Sequence, residues 1–243
     1  MVNRDYSSNR LQKRPDQAIL EKLRQIPTAF ISDYLKQIGI VNHTLRGVRP
    51  LSPFPSYKQH IAGPAITMAL APVSEAYPYT QAPYMHTEIV EQAEPGDVIV
   101  IAGQGAPFGF WGDHTTHQAM KQRLSAVVID GFTRDSRPIR ETGFPVFSTG
   151  VTFESYVRRY DPVGYNIPVG CAGAMVRPGD VIVGDDDGVL VIPVEVLQQV
   201  ATGIAVVDEA ETELRQAVET GTPWKEIYPM IHRKKYLETK GTR

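Results

Sequence analysis

Two adjacent charged residues, Arg134 and Asp135, follow a short apolar strand predicted at residues 126–129. Charged side chains directly after such a strand lie where open α/β folds usually bind ligands. The arginine guanidinium is a planar fork of donors that suits a carboxylate, and an aspartate is a hard oxygen ligand for a divalent cation. The pair predicts a site for an acidic, metal-chelating small molecule. Taken alone, it could equally be a structural ion pair at the end of a strand.

A second apolar strand, residues 97–102, leads into a stretch of small residues that we predict to be a loop extending to Gly112. Because small residues leave the backbone exposed, its N–H groups can approach an anion closely. The loop lacks the phosphate-binding Gly-x-x-x-x-Gly-Lys pattern and the dinucleotide Gly-x-Gly-x-x-Gly pattern. The candidate anion cradle comprises Gly103, Gln104, Gly105 and Ala106.

Asp113 follows this stretch and is expected to cap a helix that continues to about Arg123. His117 lies one helical turn later, so the two side chains could approach one metal ion. However, the sequence from His114 to His117 lacks the glutamate of the zinc-protease motif. His117 is therefore interpreted as a packed or hydrogen-bonded helix residue.

The spacing of these residues resembles a known family. Asp113, then twenty residues, then Arg134-Asp135 is similar to the motif of the class II 4-hydroxy-4-methyl-2-oxoglutarate and 4-carboxy-4-hydroxy-2-oxoadipate aldolases. Their RraA-like family also includes regulators of ribonuclease E activity. The phrases PGDVIVI, VIDGFTRD, GFPVF and PGDVIVGDDDGVLVIP extend the likeness over about Thr28 to Gly221.

The resemblance implies retro-aldol cleavage of a 4-hydroxy-2-oxo acid to pyruvate, with oxaloacetate decarboxylation as a side activity. It implies Mg²⁺ or Mn²⁺ anchored by Asp135, while Arg134 stabilises the enolate oxygen. Asp113 would orient a water molecule or relay a proton, and the stretch from Gly103 to Ala106 would hold the substrate carboxylate. In the aldolases an acid from a neighbouring subunit approaches the metal; here Glu209, Glu211 and Glu213 are unassigned candidates.

Other functions remain open. A Schiff-base aldolase needs a lysine with a lowered pKa, and no lysine lies in an apolar strand where burial would lower it. A protein-binding regulator of the ribonuclease E type would need no catalysis. A sugar-acid dehydratase or decarboxylase would use the same metal-enolate site.

Composition narrows the class of protein. The 243 residues are 42% hydrophobic and 21% charged, which is typical of a soluble globular protein. The net charge of −2 provides no general basic field for nucleic acid or anionic lipid. No apolar run reaches the roughly 18 residues of a membrane span. The first residues do not resemble a secretory signal. We predict a cytoplasmic protein in which the single cysteine, Cys171, is packed in a tight bend rather than acting as a nucleophile.

Periodicity predicts an α/β protein with mixed strands. We divide it into an N-terminal extension (residues 1–27), an aldolase-like domain (28–221) and a C-terminal tail (222–243). The resemblance implies a layered α/β–β/α domain like the phosphohistidine swivelling domain, assembled as a homotrimer or homohexamer. The acidic run from Asp185 to Asp187 is interpreted as a turn rather than a calcium loop. Candidates for substrate specificity are Tyr77, Tyr79, Phe108, Phe110 and Trp111.

Overall fold

Helices and strands alternate in the central part of the chain, residues 61–151, between two N-terminal and two C-terminal helices. The computed structural model describes residues 14–56, 60–74 and 85–236; Tyr77 and Tyr79 lie outside them. A short 3₁₀ turn at Val194–Val196 precedes the longest helix. The helices are Gln17–Leu23 (α1), Thr28–Gln37 (α2), Met85–Gln92 (α3), Asp113–Lys121 (α4), Ser136–Thr142 (α5), Leu197–Glu219 (α6) and Trp224–Tyr236 (α7).

The strands form one large mixed sheet and a separate hairpin. The strands are Thr44–Leu45 (β1), Arg49–Pro50 (β2), Ile61–Pro72 (β3), Val98–Gly109 (β4), Ala126–Thr133 (β5), Val146–Val151 (β6), Tyr160–Tyr165 (β7), Val169–Cys171 (β8), Ala174–Val176 (β9), Val181–Asp185 (β10) and Gly188–Ile192 (β11). The order of strands in the large sheet is β1-β11-β10-β3-β4-β5-β6-β2, with β7 also paired to β3. The run β3-β4-β5-β6 is parallel, and the remaining pairs of this sheet are antiparallel.

Both faces of the parallel strands are covered, which explains why β4 is continuously apolar. Ile99 and Ile101 pack with buried residues of α3, α4 and α5, whereas Val98 and Val100 pack on the opposite side with the β8–β9 hairpin. A third cluster joins α1, α2 and α6 to β10 and β11. The predicted α/β class is confirmed. The swivelling-domain layering and the domain boundaries remain predictions. No described helix is long and apolar enough to cross a membrane.

The predicted loop after Ala102 is only partly a loop. Strand β4 continues to Gly109, and its pairing with β5 shifts register between Ala102 and Ala106 and again before Gly109. Gln104 and Gly105 have positive φ angles of 58° and 68°, so the chain bulges but returns to β5. The small residues therefore let an irregular strand pack closely instead of leaving the backbone open.

The predicted helix cap at Asp113 was wrong. Asp113 is the first residue of α4 and Gly112 holds the cap position, just as Thr28 is the first residue of α2 and follows Pro27. In both cases the residue's backbone N–H donates to a distant carboxylate, Thr28 to Asp185 and Asp113 to Asp135. A tertiary contact has replaced the local cap, because a side chain from a neighbouring strand end can satisfy the same exposed donors.

Asp185 begins the acidic turn and holds α2 against the sheet. Its carboxylate accepts hydrogen bonds from the Thr28 amide and hydroxyl, both at 2.8 Å, and from the Asp187 amide at 2.9 Å. The predicted turn is confirmed, since Asp185 pairs directly with Gly188 across it. Within the described residues no group of three or more His, Cys, Asp or Glu could hold a metal ion.

We expect Asp185→Ala to lower the free energy of unfolding by about 3 kcal/mol, because it leaves buried donors without an acceptor. Urea denaturation followed by circular dichroism measures the change. The matched control is Asp187→Ala, an exposed residue of the same turn, which should change stability by less than about 0.5 kcal/mol. Equal effects of the two variants would contradict the anchoring role of Asp185.

Cys171 is fully buried at the end of β8, in the tight bend that the sequence predicts. Burial raises the pKa of its thiol, and the charge of Asp130 raises it further. Since the thiolate is the reactive species, we expect no reaction of the native protein with Ellman's reagent at pH 8 and one thiol per chain in urea. Stoichiometric labelling of the folded protein would contradict this.

Candidate active site

Asp135 lies at the junction between strand β5 and helix α5. Its backbone is in the left-handed region (φ 56°, ψ 38°), at the cap position of α5. This conformation costs a non-glycine residue on the order of 1 kcal/mol, and such residues cluster at functional sites. The chain therefore changes direction sharply at Asp135, two residues after the end of the parallel strand β5.

The parallel pairing of β4 and β5 brings Asp113 to the same place. Helix α4 begins at Asp113 just after β4 and leads back to β5, so the twenty-residue spacing spans one β-α-β crossover. The Asp113 amide donates to Asp135 Oδ2 at 3.2 Å, and the Arg134 amide donates to the Trp111 carbonyl at 2.9 Å. The three predicted catalytic residues, Asp113, Arg134 and Asp135, therefore adjoin one another.

Trp111 connects the two segments rigidly. Its indole Nε1 donates to Thr116 Oγ1 at 2.8 Å, and that hydroxyl lies 2.9 Å from the Gly112 carbonyl, which accepts its proton. The Thr133 hydroxyl donates to the Trp111 carbonyl at 3.0 Å. All three side chains that make these bonds are buried. The start of α4 is thereby held against the end of β5, as a preorganised site requires.

Gly112 allows the start of α4 to come close to the Asp135 carboxylate. A Cβ atom on Gly112 would lie 2.7 Å from Asp135 Oδ2 and 3.4 Å from Arg134 Cγ. Both distances are below ordinary van der Waals contact or at its limit, so a side chain here would displace the Asp135 carboxylate. Any residue can adopt the φ of −151° found at Gly112. Glycine is therefore needed here because of the close Asp135 carboxylate and not because of the backbone angle.

Arg134 and Asp135 form an ion pair that is partly exposed to solvent. Arg134 Nε lies 3.3 Å from Asp135 Oδ2, and the two side chains are 42% and 36% exposed. The terminal nitrogens of Arg134 have no hydrogen bond to the described residues and can meet a ligand. Asp113 Oδ1 is enclosed by protein, and no hydrogen bond reaches it within the described ranges.

His117 lies beside Asp113, as the helical spacing predicts. Its Nδ1 is 3.1 Å from the Asp113 carbonyl and 3.3 Å from Asp113 Oδ1. The carbonyl is the partner with hydrogen-bond geometry, and the ring is 62% exposed. This agrees with the interpretation of His117 as a hydrogen-bonded helix residue. Because His117 bonds to the backbone carbonyl, Asp113 Oδ1, on the first turn of α4, receives no hydrogen bond from the described residues.

The residues fit a divalent cation. Asp113 and Asp135 contribute carboxylate oxygens from facing elements, and one of these oxygens is enclosed without a donor. Magnesium commonly takes only one or two protein carboxylates and completes its shell with water and substrate oxygens. Two acids without a third ligand are therefore sufficient for a cation that substrate chelates.

A pocket of about 240 Å³ opens over these groups. Its walls come from the end of β4, the first turn of α4, the end of β5 and the segment before β7. The lining residues are Gly109, Phe110, Trp111, Gly112, Asp113, His114, Thr115, Arg134, Asp135, Ser155, Tyr156 and Val157.

The predicted anion cradle lies elsewhere. Gln104 donates through Nε2 to the Leu70 carbonyl at 3.0 Å, and a Cβ on Gly105 would lie 3.8 Å from Asp130 Oδ1. None of Gly103, Gln104, Gly105 and Ala106 lines the pocket. The backbone that does so belongs to residues 109–112, because the bulged end of β4 carries the chain past the sheet edge before α4 begins.

One wall of the pocket was missed by sequence reasoning. Ser155, Tyr156 and Val157 reach the site because the Gly109 amide donates to the Glu154 carbonyl at 2.8 Å and Gly109 bridges to Ser155. No motif marks this segment. The interleaved aromatic residue Tyr156 was its only signal, and its ring stacks on Phe110 at 5.9 Å.

Of the aromatic residues predicted to determine substrate specificity, some line the pocket and one packs elsewhere. Phe110 and Trp111 line the pocket, although their side chains are buried and serve mainly as support. Phe108 packs instead against Tyr160 and beneath Arg159. The acids of the C-terminal helix, Glu209, Glu211 and Glu213, lie on α6 and do not line the pocket of their own chain.

The fold and site together define a class of α/β protein with an aspartate–arginine–aspartate pocket at the ends of parallel strands. The RraA-like family model, described as Aldolase/RraA, matches residues 28–191. The chain therefore belongs to the RraA-like family, and the resemblance seen in its motifs is confirmed.

Individual relatives agree with this assignment. Protein DlpA of Legionella pneumophila is 32% identical over 205 residues, which is 84% of this chain and 32% of that longer protein. The chain thus spans about a third of that relative. A protein of Halalkalibacterium halodurans, provisionally named a 4-hydroxy-4-methyl-2-oxoglutarate aldolase, is 35% identical over 72% of this chain and 76% of its own length.

Solved structures show the same fold. An uncharacterised protein from Pseudomonas syringae matches with a TM-score of 0.77 and 26% identity, over 89% of this chain and 99% of that one. Streptomyces coelicolor RraAS2, described as an unusual member of the RNase ES inhibitor RraA protein family, matches with a TM-score of 0.76 and 28% identity, over 84% and 99%. The relatives thus include proteins named for catalysis and for inhibition.

Proposed function

We propose that this protein is a divalent-metal-dependent lyase that cleaves a 4-hydroxy-2-oxo acid by a retro-aldol reaction, releasing pyruvate. The observation that carries the proposal is the convergence of Asp113, Arg134 and Asp135 on one pocket. The family membership and the relative named as an aldolase support it. An inhibitory protein-binding surface would need no such arrangement of charges within a pocket.

Asp135 would hold the cation, with Asp113 contributing directly or through water. When bound, Mg²⁺ or Mn²⁺ would polarise the 2-keto oxygen as a Lewis acid. Arg134 lines the same pocket and would donate a hydrogen bond to the oxygen that becomes negative. Loss of such a preorganised donor typically costs about 10²–10³ in rate.

Residues of this chain can carry the proton and the negative charge that the cleavage moves. The C4 hydroxyl would pass its proton through a water molecule to the Asp113 carboxylate, and the C3–C4 bond would break as C4 becomes a carbonyl. The bonding electrons would move through C2 to its oxygen and form the pyruvate enolate, which Arg134 would stabilise. The protonated Asp113 would then return the proton, through water, to C3 and give pyruvate. Decarboxylation of oxaloacetate produces the same enolate and is an expected side activity.

Coupling to lactate dehydrogenase tests the proposal. The purified protein is offered 4-hydroxy-2-oxo acids and oxaloacetate with Mg²⁺, with Mn²⁺ or with EDTA. We expect pyruvate only when metal is present. Turnover that EDTA does not change would refute metal dependence, and folded, metal-replete protein that releases no pyruvate from any acid would refute the lyase.

A ribonuclease-inhibitor role is the second candidate, and the likeness to Streptomyces RraAS2 favours it. In that case the protein would slow RNA cleavage by a ribonuclease E homologue without releasing pyruvate. The two activities are separable in one preparation, because Asp135→Asn should remove the lyase activity but leave binding to a ribonuclease intact.

We also propose that the chain assembles as a homotrimer or homohexamer, as the family resemblance implies. Light scattering coupled to size-exclusion chromatography gives the mass directly. A monomeric peak with full activity would contradict the assembly without affecting the lyase proposal.

A further inference from the structure

The pocket has one wall of acidic and basic side chains and a second wall of hydrogen-bonding and apolar side chains. Asp113, Arg134 and Asp135 form the first, and His114, Thr115 and the segment Ser155–Val157 form the second. Arg134 is the one permanently cationic side chain among the described lining residues. The chemistry of the second wall therefore decides which group can follow C4 of the substrate.

Neighbouring arginines do not supply a second cation to the described pocket. Arg159 pairs with Glu154 at 3.3 Å and lies over the Phe108 ring at 5.7 Å. Arg137 pairs with Glu141 at 3.2 Å on the exposed side of α5. Arg158 is exposed and is not a lining residue.

The charges of the pocket match a substrate with one carboxylate. A divalent cation and Arg134 would balance the two aspartates and the C1 carboxylate of a 2-oxo acid. A second carboxylate near C4 would enter a partly enclosed pocket in which the described residues of this chain offer it no counter-charge, which is costly. A related protein is named for a substrate with that second carboxylate.

The second wall offers partners for hydroxyl groups. The Ser155 hydroxyl accepts a hydrogen bond from the Val157 amide at 3.3 Å, so its own proton remains available to a ligand. The exposed His114 imidazole, on the first turn of α4, can hydrogen-bond to a ligand hydroxyl. These two side chains suit a hydroxylated chain, whereas an arginine fork would suit a carboxylate.

We infer that the substrate is a 4-hydroxy-2-oxo monocarboxylic acid whose C4 carries an uncharged, hydroxylated chain, held by His114 and Ser155. The inference rests on the proposed lyase function and narrows its substrate class to sugar-acid-like compounds. It excludes 2-oxo diacids as the preferred substrates.

The test compares a 3-deoxy-2-oxo aldonic acid with 4-hydroxy-4-methyl-2-oxoglutarate in the pyruvate assay. We expect kcat/KM to be at least about tenfold higher for the aldonic acid. Equal values or a preference for the diacid would overturn the inference while the lyase stands. If neither acid releases pyruvate, the lyase proposal fails, and calorimetric titration of the same two acids decides specificity: tighter binding of the diacid would overturn it.

Variants separate recognition from a merely structural role. His114→Ala and Ser155→Ala should each lower kcat/KM about tenfold for the aldonic acid and leave the diacid unchanged. His114→Arg should raise activity toward the diacid. The matched control Gln118→Ala, exposed on the same helix outside the pocket, should alter neither value. Equal losses for both substrates would contradict recognition by His114 and Ser155.

Discussion

Asp135→Asn is expected to lower kcat/KM for pyruvate release by at least about 10²–10³-fold. Asparagine keeps the size of the side chain and a carbonyl that can still accept the Asp113 amide, which lies 3.2 Å from Oδ2. It removes the negative charge that a divalent cation needs. Manganese binding measured by electron paramagnetic resonance, without substrate, should weaken in parallel with activity.

The matched control for Asp135→Asn is Glu141→Gln. Glu141 lies on α5, the helix that begins after Asp135, is 67% exposed and pairs with Arg137. Its substitution should therefore change neither manganese affinity nor turnover. Undiminished manganese binding and turnover in Asp135→Asn would show that Asp135 is not the metal anchor, and the carboxylate of Asp113 would then be the next group to test.

Gly112→Ala should lower kcat/KM by about 10²-fold, because displacement of a catalytic group by about 1 Å costs that much. The added Cβ would meet Asp135 Oδ2 at 2.7 Å. Alanine tolerates the φ angle of −151°, and the atom that must move is the end of a side chain. The melting temperature should therefore change little. Pyruvate assays and differential scanning calorimetry on the same sample measure both.

Gly170→Ala is the matched control for Gly112→Ala. A Cβ on Gly170, in strand β8, would meet nothing within 4 Å, so activity should be retained. Wild-type turnover in Gly112→Ala would show that the close approach of the α4 start to Asp135 is unnecessary for the reaction. A large loss of melting temperature would instead show that Gly112 supports the fold.

Local patterns were enough to predict most of the secondary structure. The apolar runs that became β4, β5, β10 and β11 are continuous because helices or the hairpin cover both faces of the sheet. The helix that starts at Asp113 and the short helix after Asp135 also have clear periodic or terminal signals. The first residue of a helix differed from the prediction where a distant carboxylate binds the exposed backbone N–H, as Asp135 binds the amide of Asp113.

The sequence by itself determined the α/β class, the family and the three charged residues of the site. Asp113, Arg134 and Asp135 were predicted together because their spacing resembles the aldolase motif. The structure gives the physical reason for that spacing: a β-α-β crossover joins adjacent parallel strands and brings their carboxyl ends together.

Only the tertiary structure showed that the backbone of residues 109–112 and the segment 155–157 complete the pocket. The bulge in β4 moved Gly103–Ala106 away from the pocket, and the bridge from Gly109 brought in Ser155. Neither leaves a periodic signal, because register shifts and contacts between distant segments depend on packing of the whole sheet. The charged groups could therefore be predicted from local motifs, whereas the second wall of the pocket is a product of the fold.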